Sequence, residues 1–406
     1  MRTIAEHLAA VLANTTPQPP VLCDVRAALG LTLAADIPAR LPVPPFTNSA
    51  MDGFLVHSAD LEGAAPWTLP VAGDVPAGAP PRALARGTAL RIMTGAPIAS
   101  DPEKLRVIPV EDTDVAPGPG ALPTSISIHR ISPERRHIRR AGENIAVGDT
   151  ALAAGTVLDA GGVAAAVSCG ITQVQAHPRP RVAVISSGDE LLEPGVMPGP
   201  GQLPDSNRVM LAALLAEHGI TGVTDYHCGD GAGSFRALLD ELSATHDLVI
   251  TTGGISVGAF DVVREVTAPH GVWFGTVAQR PGQHQGAGTW NGVPLVCLPG
   301  NPVAAFVSFL LYIPPLLQAL AGREPQRPQV SALLTGDGLP ARPARTVLAP
   351  VRLMYSDVGI MATPFHRHGG SHLVASLADT HGLAVVPPGE ERLVAGDPVR
   401  VLLRLG

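Results

Sequence analysis

Asp247-Leu248-Val249-Ile250-Thr251-Thr252-Gly253-Gly254-Ile255-Ser256-Val257-Gly258 is the stretch that decides the fold. A short apolar, β-branched run leads straight into paired glycines, and Asp261 follows soon after. Such a run closed by a turn reads as a buried strand, here 247–252, and residues 259–266 read as the helix after it. The same pattern recurs on both sides. Residues 181–186 form a strand ending in the Ser187-Gly188 turn, 221–228 a second strand and 293–298 a late one. Residues 206–218, 234–244 and 303–320 carry helical spacing between and after them. Alternating strands and helices predict an α/β domain over 179–326, doubly wound, with a parallel sheet covered on both faces. Ligands of such sheets sit beyond the carboxyl ends of the strands, so the loops there are the candidate site.

Outside this domain the grammar changes. Ile4, Leu8, Val11 and Leu12 recur at helical spacing and predict an amphipathic first helix. Proline punctuates 17–45, and short strands at 68–71, 89–93, 106–110 and 125–129 predict a small β-rich domain over 49–140. Residues 161–169 read as a helix paired with the N-terminal region, which makes a discontinuous domain of 1–48 plus 141–178. Strands at 346–353, 383–386 and 399–403 predict a compact β domain over 327–406. A chain of 406 residues is too long for one core, which agrees with several domains.

Composition excludes several classes. Apolar residues at 46% against 16% charged exclude a disordered chain, and the 44 Gly and 41 Pro lack the Gly-X-Y period of collagen. Aromatics at 3% argue against a stacking platform for single strands, and a net charge of −7 against general nucleic-acid binding. Lys104 is the only lysine, so bound phosphate must be held by Arg or backbone N–H groups. Cys23, Cys169, Cys228 and Cys297 form no CxxC, which fits reduced cysteines in a cytoplasmic protein. No basic segment followed by an apolar run opens the chain, so no signal peptide is expected. The apolar segment 303–320 is broken by Pro314-Pro315 and Gln318 and reads as a buried helix, not a membrane span.

The Gly253–Gly258 turn lets the backbone approach an anion closely, although it is neither GxGxxG nor a P-loop. As a bare turn it is equally a tight strand-to-helix connection. Ser187-Gly188-Asp189-Glu190, Asp205-Ser206-Asn207, Cys228-Gly229-Asp230 and Asp261 place five acids near one rim. Such a rim suits Mg²⁺, which takes one or two carboxylates plus substrate phosphate oxygens; any single acid is equally a solvated edge or a helix cap. In Pro299-Gly300-Asn301-Pro302, Asn301 fits an N-cap and Pro302 the first helical position. Residues 135–140 are the densest positive charge, a solvated face or an oxyanion site. His366, His368 and His372 cluster around Gly369-Gly370-Ser371 without a metal-binding spacing.

Taken as an ordered set, these strings resemble the MoeA family of molybdopterin molybdenumtransferases, represented also by the E domain of gephyrin. The matching strings are Ser49-Ala50-Met51-Asp52-Gly53, Ile92-Met93-Thr94-Gly95-Ala96-Pro97, Gly142-Glu143-Asn144-Ile145, Ser187-Gly188-Asp189-Glu190-Leu191, Asp205-Ser206-Asn207, Gly253-Gly254-Ile255-Ser256-Val257-Gly258, Pro299-Gly300-Asn301-Pro302 and Gly370-Ser371-His372. They span nearly the whole chain. The resemblance implies an elongated four-domain subunit that dimerises, with the doubly wound domain as the pterin-nucleotide-binding fold. It implies molybdenum insertion from molybdate into adenylated molybdopterin with release of AMP, Mg²⁺ as cofactor, and a molybdopterin adenylyltransferase as partner. Nucleic acid and membrane are not expected partners. The family's functional positions map onto Asp52, Thr94, Arg139, Glu190, Asp230, Asp261 and Ser371, with Glu190, Asp230 and Asp261 toward the metal. Ser187, Gly188, Asp205, Ser206, Gly253, Gly254, Ser256, Arg280, Pro299 and Asn301 would contact the pterin nucleotide. Because Thr94 lies in another domain, a partner subunit would complete the pocket. Three departures stand out. Arg280-Pro281-Gly282-Gln283-His284 replaces a lysine-bearing PGK-type loop, Asn144 stands where Asp is common, and Glu103-Lys104-Leu105 replaces Gly-Ala-Asp. Arg for Lys exchanges a point charge for a planar fork. The alternative from another class is a catalytically weakened paralogue that serves as a dimeric scaffold.

Overall fold

The computed structural model describes residues 1–99, 101–255, 261–357, 359–365 and 373–404. Its chain forms two compact units, one of residues 1–21, 30–32 and 177–406, the other of 22–29 and 33–176.

In the first unit the α/β domain runs β1 (Val182–Ser187), α1 (Ser206–Glu217), β2 (Thr224–Cys228), α2 (Ala232–Thr245), β3 (Leu248–Thr252), α3 (Val262–Thr267), β4 (Trp273–Thr276), β5 (His284–Trp290), β6 (Val293–Leu298) and α4 (Pro302–Leu320). Its sheet has the order β2-β1-β3-β6-β5-β4. The first four strands are parallel, as the alternation predicts. An antiparallel pair, β5 on β6 and β4 on β5, extends the sheet. The sequence reading did not find that pair, because its strands are interrupted by glycine. Those glycines have packing reasons: a Cβ on Gly286 would stand 2.5 Å from the Phe274 ring and 2.9 Å from the Cys297 side chain.

Every residue of β1 and β3 is buried. Alternate side chains serve the two faces. Val182, Val184, Leu248 and Ile250 pack with Leu211 and Leu214 of α1 and Phe306 and Phe309 of α4. Ala183, Ile185 and Val249 pack with Phe235 and Leu239 of α2 and Val262 of α3. Helix α4 is long and apolar enough to cross a membrane, yet it is mostly buried in this core, as expected. It continues through Pro314 and Pro315. Pro315 has no N–H for the Leu311 carbonyl, and Arg327 Nη1 takes that acceptor at 3.5 Å.

The C-terminal strands Gln329–Leu334, Thr346–Ser356, Gly359–Pro364, Gly382–Val386 and Pro398–Leu403 pair into a closed ring. Gln279–Arg280, from the α/β domain, pairs parallel with Thr346–Ser356 outside that ring. In the second unit, Leu105–Pro109, Gly53–His57, Ala89–Ile92, Trp67–Val75 and Ser125–Ile128 form one sheet in that order. Backbone bonds from Val25 to Thr172 and from Arg40 and Leu41 to Cys169 join residues 22–41 to 160–176.

The first helix, Ile4–Leu12, carries a capping box of Thr3 and Glu6. The sequence reading grouped it with 141–178. Instead Val11 belongs to the core of the α/β domain, with Ile4, Leu8 and Leu12 packed against it, because its apolar stripe packs on the apolar helix α4. Its His7 is fully buried, edge-on to Tyr312 at 4.7 Å and tilted on Trp273 at 5.3 Å, with neither ring nitrogen hydrogen-bonded. Burial, aided by the Arg2 charge, pushes its pKa down from 6.5 to about 4. The unfolded chain therefore takes up the proton first, and stability is lost as pH falls from about 6.5 to about 4. The loss is of order 3 kcal/mol. His7→Phe is expected to flatten that fall of Tm in calorimetric scans across the same pH window.

Candidate active site

The chain leaves β1 and β3 toward opposite sides of the sheet, and the strand order reverses between them. Beyond their carboxyl ends lies a cavity of about 630 Å³. That volume and place fit a small-molecule site. Its walls are Ser187 and Glu190 after β1, Asp205 to Asn207 at the start of α1, Thr252 to Ile255 and Asp261 after β3, Pro299 to Asn301 after β6, and His284.

Paired glycines make the floor. Gly253 and Gly254 have φ of +92° and +61°. A Cβ on Gly254 would stand 2.9 Å from both Ser187 Oγ and Val263 Cγ2. The Gly253 N–H is already bonded to the Leu298 carbonyl at 3.2 Å, so Gly253 contributes close approach, not a donor. Ser187 is 5% exposed, and its Oγ has no hydrogen-bond partner. A buried hydroxyl without a partner beside an open cavity is a group prepared for a ligand.

Asn207 ties the loops together. Its Nδ2 donates to Thr252 Oγ1 at 2.9 Å and to the Gly300 carbonyl at 2.7 Å. Thr252 Oγ1 in turn donates to the Pro299 carbonyl at 3.0 Å. Asn207 Oδ1 is buried without a partner and lines the cavity. Asp205 has mainly internal duties: it caps α1 through the Arg208 N–H at 3.2 Å, pairs with Arg208 Nε at 3.1 Å and accepts from Ser186 Oγ. Arg208 also reaches Glu193 at 2.7 Å and Asp225 at 3.1 Å, which pins the N-terminus of α1.

The expected acids do not all converge. Glu190, Asp205 and Asp261 line the cavity; Asp230 and Gly188 do not. Asp189 Oδ1 accepts the Asp230 N–H at 3.1 Å, which engages both on a neighbouring turn. Among the described residues no three His, Cys, Asp or Glu side chains could hold a metal ion together, so Glu190, Asp230 and Asp261 are not a ready cluster. Asn301 occupies the N-cap position of α4 but makes no capping bond with its side chain, which leaves its amide to the cavity wall. Burial pushes the Cys297 thiol up to about 12, far from thiolate chemistry. Ser256, Ser371, His366, His368 and His372 lie outside the described residues.

A second cavity of about 290 Å³ shares His284, Pro299 and Asn301 with the first and adds Arg280 and Arg345. Arg345 was missed in the sequence: it stands just before a strand of the C-terminal domain, with no motif around it. Asn207 was quoted within a string but given no role; an amide two residues past a helix cap was the available signal.

In the second unit, two predicted residues meet across 42 positions of sequence. The Thr94 N–H and Oγ1 both donate to Asp52 Oδ1, at 2.6 and 2.8 Å. These bonds hold the Asp52 carboxyl below its usual pKa. The Ser49 N–H bonds to the Ala96 carbonyl and the Gly95 N–H to the Ser49 carbonyl, which clamps the two loops. Gly53 must follow Asp52, since a Cβ there would stand 1.9 Å from the Ile108 carbonyl oxygen. Arg139 pairs with Asn48 through the short strand Ile138–Arg139, which brings it to the same loop.

Fold and site define an α/β protein with a polar cavity at its strand switch point, joined to β modules. Comparison with known proteins makes this specific. Residues 2–170 match the MoeA N-terminal region (domain I and II), 183–319 a probable molybdopterin binding domain, and 332–403 the MoeA C-terminal region (domain IV). The Mycobacterium tuberculosis protein molybdopterin molybdenumtransferase 2 is 38% identical over 413 residues, covering 99% of each chain. A Staphylococcus epidermidis molybdopterin molybdenumtransferase is 33% identical, covering 92% of this chain and 89% of its own. A crystal structure of a molybdopterin biosynthesis MoeA protein from Pyrococcus horikoshii superposes with a TM-score of 0.78 at 28% identity, over 100% of this chain and 99% of that one. The chain belongs to the MoeA family.

Two outcomes follow from this geometry. Asn207→Ala removes the donor to Thr252 Oγ1 and leaves the Gly300 carbonyl without its amide partner, and should cost roughly 1–3 kcal/mol, read as a lower unfolding midpoint. Thr94→Val removes one of the two bonds to Asp52 and should move its carboxyl titration, followed by NMR, part of the way back up.

Proposed function

We propose that this protein is a molybdopterin molybdenumtransferase. It takes adenylated molybdopterin and molybdate, joins the metal to the dithiolene and releases AMP, in molybdenum cofactor biosynthesis. The observation that carries the reading is the pair of adjoining cavities, a larger one lined by unpartnered donors and acceptors and a smaller one flanked by two arginines. In the larger one Ser187 Oγ donates to a phosphate oxygen while the Gly253-Gly254 turn lets that phosphate come close. Asn207 Oδ1 accepts from the pterin nucleotide. In the smaller one Arg280 and Arg345 offset the two negative charges of molybdate, the work that lysines of the PGK-type loop would share. Molybdate and the phosphoanhydride are both anions, so adjoining sites with their own donors are needed to hold them side by side.

Glu190 and Asp261, on the walls of the larger cavity, are the carboxylates that would hold Mg²⁺. A cation that takes one or two carboxylates plus substrate oxygens needs no three-ligand cluster, so this donor set fits it. When bound it supplies positive charge to the phosphoanhydride oxygens. Asp230 orients that turn from outside the cavity. The protein works as a cytoplasmic homodimer in which Asp52, Thr94, Arg139 and Ser371 add substrate contacts, and it receives its substrate from a molybdopterin adenylyltransferase.

Purified protein mixed with adenylated molybdopterin is expected to release AMP only when molybdate is added. No binding of adenylated molybdopterin at all would leave the scaffold. Chelation of divalent metal should stop release and Mg²⁺ restore it. Asp261→Asn and Glu190→Gln should each slow release by roughly 10²-fold or more. Arg280→Ala should raise the KM for molybdate about tenfold.

A further inference from the structure

The loop from Arg280 to His284 borders both cavities, and its conformation is set from behind by a buried polar chain. Gln279, Gln285, Ser308 and Tyr312 are each at most 1% exposed. Ser308, on α4, accepts from two amides at once, Gln279 Nε2 at 3.2 Å and Gln285 Nε2 at 2.6 Å. The same two amides hold the loop backbone: Gln279 Nε2 reaches the Pro281 carbonyl at 3.1 Å and Gln285 Nε2 the Gly282 carbonyl at 2.7 Å. Tyr312, one helical turn past Ser308, donates its hydroxyl to Gln279 Oε1. Gly282 has φ of +80°, and a Cβ there would stand 2.8 Å from Ser308 Oγ, so the loop is pressed onto the helix.

A purely apolar contact would have held α4 to the sheet equally well, since a buried polar group gains little in net stability over a well-packed apolar one. What the amides add is direction. They fix two successive carbonyls of the loop, and those carbonyls set where Arg280 on one side and His284 on the other face the cavities. Only Arg280 of the loop is exposed. The loop's ends are held by pairing of Gln279–Arg280 with Thr346 and Val347 and of His284 with Thr276, and the Val277 N–H bonds to the Gln283 carbonyl at 2.7 Å, so the amides act on the middle of the loop.

We propose that Ser308, with Gln279 and Gln285, is the positioning set that aims Arg280 into the smaller cavity and so governs affinity for the metal oxyanion. The inference rests on the reading of that cavity as the molybdate site. Ser308 and Gln285 line neither cavity and act through the loop, whereas Gln279 both holds the loop and lines the smaller cavity. A loop loosened behind Arg280 weakens capture of the dianion while the larger cavity, built on Asn207 and the Gly253-Gly254 turn, keeps its shape.

The test is steady-state AMP release by the full chain, varied in molybdate at saturating adenylated molybdopterin, with the pterin dissociation constant measured separately. Ser308→Ala is expected to raise the molybdate KM at least fivefold, with kcat and pterin affinity within twofold. Gln285→Met should do the same, and the double variant should fall short of the product of the two, since they act as one unit. Val307→Ala, a core truncation on the same helix, should lower Tm without moving the KM. Equal rises in KM for Val307→Ala and Ser308→Ala would overturn the positioning role, as would a Ser308→Ala effect on pterin affinity as large as that on KM. Should Ser308→Ala fail to fold, Gln285→Met alone carries the same expectation. If Arg280→Ala leaves the molybdate KM unchanged, the oxyanion reading itself fails and the positioning set falls with it. If Arg280→Ala raises the KM and neither polar variant does, only the positioning set is refuted.

Discussion

The buried amide of Asn207 holds three separate pieces of chain at one point: the end of β3, the start of α1 and the loop after β6. Everything at the larger cavity depends on it. Strand pairing of Thr252 with Leu298 already holds the ends of β3 and β6 side by side; the amide of Asn207 fixes the start of α1 against both, and in a dry place its donors have no water to turn to. The same amide leaves its oxygen without a protein partner on the wall of the cavity it assembles.

Charge is handled differently in the two cavities. The larger one is lined mostly by neutral groups, with the carboxylates Glu190 and Asp261 at the walls. The smaller one has two guanidiniums, one from the α/β domain and one from the C-terminal domain. A chain with a single lysine can still present concentrated positive charge where it is needed, since Arg280 and Arg345 converge by pairing of Gln279–Arg280 with the strand that begins at Thr346. Arginine keeps its charge at any relevant pH and presents a planar fork, which suits an oxyanion held by several oxygens.

Some acids on the strand-end rim serve the fold. Asp205 is consumed by its cap and by Arg208, and Asp189 by the N–H of Asp230. Both were read from sequence as members of one acidic ring. Their spacing after strands was right, but a carboxylate beside a free backbone N–H satisfies that donor first. Glu190 and Asp261 stay on the walls of the larger cavity.

The sequence alone determined what is local. Strand and helix positions in the α/β domain follow from runs of apolar residues and from where Gly and Pro stop them, and each such signal spans fewer than about twenty residues. The glycine turn was legible because only glycine tolerates its positive φ, and Gly53 because backbone passes where a Cβ would stand. Tertiary structure decided what depends on distant chain. It put Thr94 on Asp52, Arg345 beside Arg280, Ser308 behind a loop more than twenty residues earlier, and the first helix on α4 instead of beside 141–178. It also added β4 and β5, whose glycines hide a strand from any periodicity count while making room for Phe274 and Trp273. A hydrogen bond or ion pair across tens of residues leaves no period in a sequence, since its energy depends on where the backbone has already been carried.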